Sequence, residues 1–288
     1  TDDPVHQGRN PPAGTVLHYW LPAELPADSP LELVIRDGDG GVIRTFTRKP
    51  AKKDESEEPK TGDDDRLLTA DAGLNRLEWD LRYPSVERFE KLVLWNDYLD
   101  GPRAIPGSYR ASLKVADFEQ TVELQVLPDP RSTASPEALQ RQFDFVWGVN
   151  RKLTETHGAI TRLRQARSRV AAIMDRIDGQ AAYAGLATRA QAIVEQLDGI
   201  EKALYQTRLE ARQDPLNFPI RLNDKLAGVM LSAAIGDHPP TASAVAVRDE
   251  LFAAVDEQLA ALDEVLGEEL EAFNRLAAEL ALPAVAAD

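Results

Sequence analysis

Cysteine is absent from this chain of 288 residues, which removes disulfides, thiol nucleophiles and thiolate metal sites together. Histidine is scarce, with four in all. His157 is the one inside a helical pattern, and it has Thr154 where a carboxylate-bridged iron site needs a glutamate three residues earlier. No Gly-rich phosphate loop, Gly-x-Ser-x-Gly elbow or zinc-binding helix motif occurs. Basic charge is also short: 33 Lys and Arg stand against 48 Asp and Glu, a formal net charge of −15. Phosphate surfaces would repel such a chain, so nucleic acid and anionic membrane are not expected partners. No apolar run approaches the roughly 20 residues of a membrane span. The expectation is no catalytic residue, no cofactor and no metal. A pair of carboxylates for glycoside hydrolysis is brought together only by folding, and the residues do not reveal one.

What is present divides into two unlike halves. Residues 1–14 read as an interdomain linker rich in Pro, Gly and Asp, so this chain is expected to be the C-terminal piece of a longer one. Residues 15–130 carry short β-patterned runs: 15–21, 31–36, 42–47, 74–81, 108–116 and 118–126. Asp37-Gly38-Asp39-Gly40-Gly41 is hairpin chemistry, because Gly and Asp tolerate positive φ. It also echoes the start of a calcium loop, but Thr47 stands where the closing carboxylate should be. Pro106-Gly107 announces a second hairpin. Strands at this spacing predict an antiparallel immunoglobulin-like sandwich. Residues 51–66 hold seven acids and almost no apolar residue, which predicts a mobile acidic loop. The connection 82–103 is longer than most. It carries Tyr83, Trp95, Tyr98 and Arg103, candidates for a glycan or partner site, or for packing against the sandwich end or the helices.

Residues 135–282 are expected to form an antiparallel helical bundle. Ser135-Pro136-Glu137 is a helix start, with an N-cap residue, Pro at the first helical position and an acid in the first turn. Leu139, Val146, Leu153, Ile160 and Met174 then recur every seven residues, a row broken only by Arg167. Val245, Phe252, Leu259, Leu266, Phe273 and Leu280 fill one heptad position in the last helix without a break. Shorter helices over 186–209 and 221–234 lie between, giving a bundle with long first and last members. A bundle that closes on itself needs no partner, so a monomer is expected.

Several segments resemble a known family when taken together: Gly8-Arg9-Asn10-Pro11-Pro12-Ala13-Gly14, Asn75-Arg76-Leu77-Glu78-Trp79-Asp80-Leu81-Arg82-Tyr83-Pro84, residues 101–109, Asp129-Pro130-Arg131 and residues 214–226. They resemble the C-terminal region of large bacterial exported proteins with BNR-repeat, sortilin-like β-propellers, described as glycosyl hydrolase-like or sialidase-like. The resemblance implies export to the periplasm or beyond, and an upstream propeller of the same polypeptide as partner. It carries over no catalytic residue. In the helical half, Asn217, Arg221, Asn223 and Asp224 crowd beside Pro215 and Pro219. Polar groups so placed suit buried backbone where helices meet another part of the chain, and this segment is expected to dock the bundle against the sandwich.

Three functions compete on these grounds. The first is a non-catalytic accessory region that packs on or extends the propeller. The second is a carbohydrate-binding module using 82–103, which quenching of Trp fluorescence by a glycan would favour. The third is a hydrolase active within this chain, which turnover of model glycosides would reveal.

Overall fold

The structure, a computed structural model, describes residues 12–26, 28–48, 67–280 and 282. The acidic run 51–66 lies outside the described residues. The protein is α+β, with two antiparallel sheets and several helices. Its chain divides into two compact units. One runs to Pro84 and resumes over Pro102–Pro136; the other combines Ser85–Gly101 with the chain from Glu137 onward.

The first unit holds strands β1 (Thr15–Leu21), β2 (Leu31–Arg36), β3 (Val42–Thr47), β4 (Gly73–Trp79), β5 (Gly107–Val115) and β6 (Phe118–Val126). Strands β1 and β4 pair in one sheet, and the other sheet has the order β3-β2-β5-β6. Alternate residues enter a single core fed by both sheets: Tyr19, Leu21, Leu33, Ile35, Phe46, Leu77, Trp79 and Tyr109 are buried there. The β2–β3 turn forms as its chemistry requires. Asp37 Oδ1 accepts from Asp39 N at 3.1 Å and Gly41 N at 2.7 Å, and Gly40 takes a φ of 89°. Trp79 is fully buried, donates from Nε1 to the Arg82 carbonyl at 3.2 Å, and meets Tyr109 edge to face.

The strand expected over 74–81 stops at Trp79. Leu81 turns out of it with a φ of 59°, and Asp80 Oδ1 accepts from Arg82 N at 3.1 Å. At this same end of the pair, a Cβ on Gly14 would lie 1.9 Å from the Trp79 carbonyl oxygen. Backbone cannot yield as a flexible side chain can, so Gly14→Ala is expected to cost about 2 kcal/mol. A thermal melt at the wild-type midpoint would contradict that close approach.

The second unit holds helices α1 (Pro136–Ile177), α2 (Ala184–Leu204), α3 (Leu222–Ala234), α4 (Ala242–Glu264) and α5 (Leu270–Glu279). Its α1 runs for 42 residues, about 63 Å of helix. The middle of the expected rows is inside: Val146, Leu153, Ile160, Leu163 and Val170 on α1, and Ile193, Leu197, Ile200 and Leu204 on α2, share one core, while Leu139 and Met174 at the ends of the α1 row are half-buried. A single π-helical segment, Val265–Glu269, joins α4 to α5. The heptad row continues through it, with Leu266 buried within the segment and Leu259 and Phe273 buried on either side.

The division of the chain differs from a simple first half and second half. Main-chain bonds close a neck in the first unit: Arg82 bridges Arg103, Tyr83 N donates to the Pro102 carbonyl, and Ala104 N donates to the Leu81 carbonyl. Beyond that neck, Ser85–Gly101 belongs with the helices. Val86, Phe89, Leu94 and Leu99 are buried in the helical core.

Candidate functional site

Three buried polar residues of the second unit, His157, Asn223 and Asp224, form a linked group against Ser85–Gly101. Asp224, in the first turn of α3, is 2% exposed. Its carboxylate accepts from Trp95 N at 2.8 Å, from Asn96 N at 2.9 Å and from Asn96 Nδ2 at 3.0 Å. Asn223 Oδ1 accepts from the Asp224 main-chain N–H at 2.8 Å, and Asn223 Nδ2 lies 3.4 Å from His157 Nε2. On its other side His157 Nδ1 meets the Glu87 carbonyl at 2.6 Å. One tautomer satisfies both bonds: Nδ1 carries the proton and donates to the carbonyl, and Nε2 accepts from the amide. Phe89 stands edge-on to the His157 ring at 5.1 Å. Burial, and secondarily the charge of Arg88, pull the imidazole pKa down to about 4 against the opposing pull of the Glu87 carbonyl. His157 is therefore a neutral strut at pH 7, not an acid or base in wait.

The same segment meets α1 and α2 further along. Thr154 Oγ1 accepts from Glu87 N at 3.3 Å, and the Tyr205 hydroxyl accepts from Val93 N at 3.3 Å. Arg164 donates to the Glu90 carbonyl at 3.3 Å, and its guanidinium lies 4.7 Å from the Phe89 ring centre. Beside these contacts opens a cleft of about 460 Å³, lined by Lys91, Arg164, Arg167, Asp198, Glu201, Lys202, Tyr205, Thr207 and Leu209. Glu201 sits at its floor with a 3% exposed side chain. It accepts from Arg164 Nε at 2.6 Å on one oxygen and from Arg167 Nη1 at 2.5 Å on the other. Asp198 accepts from the same Arg167 nitrogen at 2.5 Å. Burial also pushes the Tyr205 hydroxyl above its ordinary pKa.

Of the residues singled out from the sequence, Tyr83 and Arg103 lie in the first unit, and Trp95 and Tyr98 in the second. Tyr83 packs against the sheet core, where burial raises its pKa. Arg103 is exposed, Tyr98 packs against the helical core, and Trp95 is 46% exposed. Asn217 and Arg221 are exposed, whereas Asn223 and Asp224 are buried. Asp224 holds backbone of Ser85–Gly101, within the second unit, and Asn223 braces Asp224 and His157. Arg164, Arg167 and Glu201 were not among the candidates; the break that Arg167 makes in the α1 heptad was their one signal. Among the described residues, no group of three or more His, Asp and Glu side chains is placed to hold a metal, and no helix is long and apolar enough to cross a membrane. Comparison with protein-family models, with curated proteins and with solved structures gave no match.

Proposed function

We propose that this chain is a non-catalytic accessory region of an exported protein, an immunoglobulin-like sandwich and a helical bundle that pack on an upstream β-propeller of the same polypeptide. Support for the sandwich comes from strand order. The order β3-β2-β5-β6 beside a β1-β4 pair corresponds to the C′-C-F-G and B-E pairings of that architecture. The Tyr109 hydroxyl donates to the Ile105 carbonyl at 2.7 Å, as the tyrosine at the E–F corner of such sandwiches bonds backbone a few residues upstream.

One observation carries the docking reading. On β6, Phe118, Val122 and Leu124 stand opposite Val115, Ala111 and Tyr109, and so point to the same side as the buried Ala111 and Tyr109. Yet Phe118 is 58% and Val122 45% exposed. Apolar side chains on the core-facing side of an edge strand, exposed on either side of Gln120, suit contact with another part of the same polypeptide.

The test is calorimetric titration of this chain with separately expressed upstream sequence. The reading predicts saturable binding, weakened about tenfold or more by the pair Phe118→Ser and Val122→Ser, since each loses an apolar contact. No heat with the wild-type chain would sink it.

A further inference from the structure

The cleft between α1, α2 and the Ser85–Gly101 segment gathers four cations and two carboxylates on a chain of formal net charge −15. Both carboxylates already serve the arginines. Glu201 meets Arg164 and Arg167 with one oxygen each, and Asp198 meets the nitrogen of Arg167 that Glu201 uses. A guanidinium has five N–H donors, more than these bonds consume. Glu201 thus fixes two guanidinium groups in the cleft without using them up. The two lysines are held loosely. Lys202 Nζ is 3.6 Å from Asp198 and Lys91 Nζ is 3.8 Å from Glu90, beyond hydrogen-bond reach, and their side chains are 62% and 88% exposed.

We propose that this cleft binds a small phosphate-bearing molecule, with the Arg164 and Arg167 guanidinium groups at its floor and Lys91 and Lys202 closing on the anion from the rim. A monocarboxylate carries a single charge, and any anion here must offset the repulsion of two resident carboxylates by bonding the cations. A phosphate brings nearly two charges at neutral pH and acceptor oxygens in several directions. That number matches two fixed guanidinium groups and two mobile ammonium groups better than a planar monoanion does. The volume of about 460 Å³ falls in the range of small-molecule sites and exceeds a bare phosphate. Tyr205, Thr207 and Leu209 line the remainder, where a compact polar body attached to the phosphate would sit. The inference does not rest on the accessory reading, since the cleft lies wholly within the second unit.

The experiment titrates the full chain at low salt with inorganic phosphate, pyrophosphate and citrate. Lys91→Gln with Lys202→Gln removes two exposed charges that the fold does not need, and circular dichroism checks that the variant is intact. The expected result is saturable binding of phosphate and pyrophosphate, with pyrophosphate the tighter. The double variant should weaken both about tenfold or more, with the difference shrinking as salt is raised. Three outcomes would overturn the proposal: no binding of either phosphate, equal binding by wild type and variant, or citrate binding more tightly than pyrophosphate.

Discussion

Asp224→Ala is expected to lower the unfolding free energy by about 4 kcal/mol. The change strips the acceptor from the Trp95 and Asn96 main-chain N–H groups and one of two acceptors from the Asn96 side-chain amide, which keeps the Asp224 carbonyl at 3.3 Å. Each donor left unpaired in the interior costs about 1–3 kcal/mol. Gly228 and Asn96 are already in close contact, with an added Cβ on Gly228 falling 3.0 Å from Asn96 Nδ2, so the site has little freedom to rearrange. Asp224→Asn keeps a carbonyl oxygen and should lose roughly half as much. Urea unfolding at neutral pH measures both. An Asp224→Ala protein within about 1 kcal/mol of wild type would show that Ser85–Gly101 is held by its apolar residues alone.

Acid should loosen the second unit through His157. The ordinary imidazole pKa is 6.5, and in the fold it is lowered to about 4. Above pH 6.5 neither folded nor unfolded chain binds this proton, and the stabilisation is complete. Between 6.5 and about 4 only the unfolded chain takes it up, so stability falls as pH falls. Below about 4 both states bind it and the loss levels off. The separation of the two values corresponds to a loss of about 3 kcal/mol. In His157→Gln, which retains an N–H for the Glu87 carbonyl, that slope should be absent even though the variant starts less stable. Unfolding free energies from about pH 7 down to about pH 4.5 provide the check. A wild-type curve as flat as that of the variant would mean that the folded protein takes up the His157 proton as readily as the unfolded chain does.

The elements legible in the sequence are those whose signals are local. The Asp37–Gly41 turn, the Pro106 bend that leads into β5 and the Ser135-Pro136-Glu137 start each act within a few residues. The strands β1, β2, β3 and β6 and the helix α1 lie where those signals put them. Leu81 did not stay on its strand because the chain turns there at positive φ, which leucine pattern alone does not announce. The membership of Ser85–Gly101 was illegible for a different reason. Val86, Phe89, Leu94 and Leu99 follow neither a helical nor a strand period, and the partners of its backbone lie far along the chain; Asn96 and Asp224 are 128 positions apart. Nothing local encodes such pairing. The four polar residues at 217–224 drew attention as a group, but folding separates them: Asn223 and Asp224 go inside to meet backbone, while Asn217 and Arg221 stay in solvent. Arg167 carried a signal of the opposite kind, an ion in a seam of apolar residues, and it lies where α1 meets the carboxylates of α2.

Ser85–Gly101 is, on this account, a structural member of the helical unit, and native-state hydrogen exchange of the full chain tests that most directly. The amides of Val86, Val93, Trp95 and Asn96 all donate to fixed acceptors, the Leu99 carbonyl, the Tyr205 hydroxyl and the Asp224 carboxylate. They should exchange as slowly as the buried turns of α1 and α3, and Asp224→Ala should release Trp95 and Asn96 first. Exchange of all four at the rate of an open loop, with the helices still protected, would contradict the account and return the segment to the role of a free ligand-binding loop.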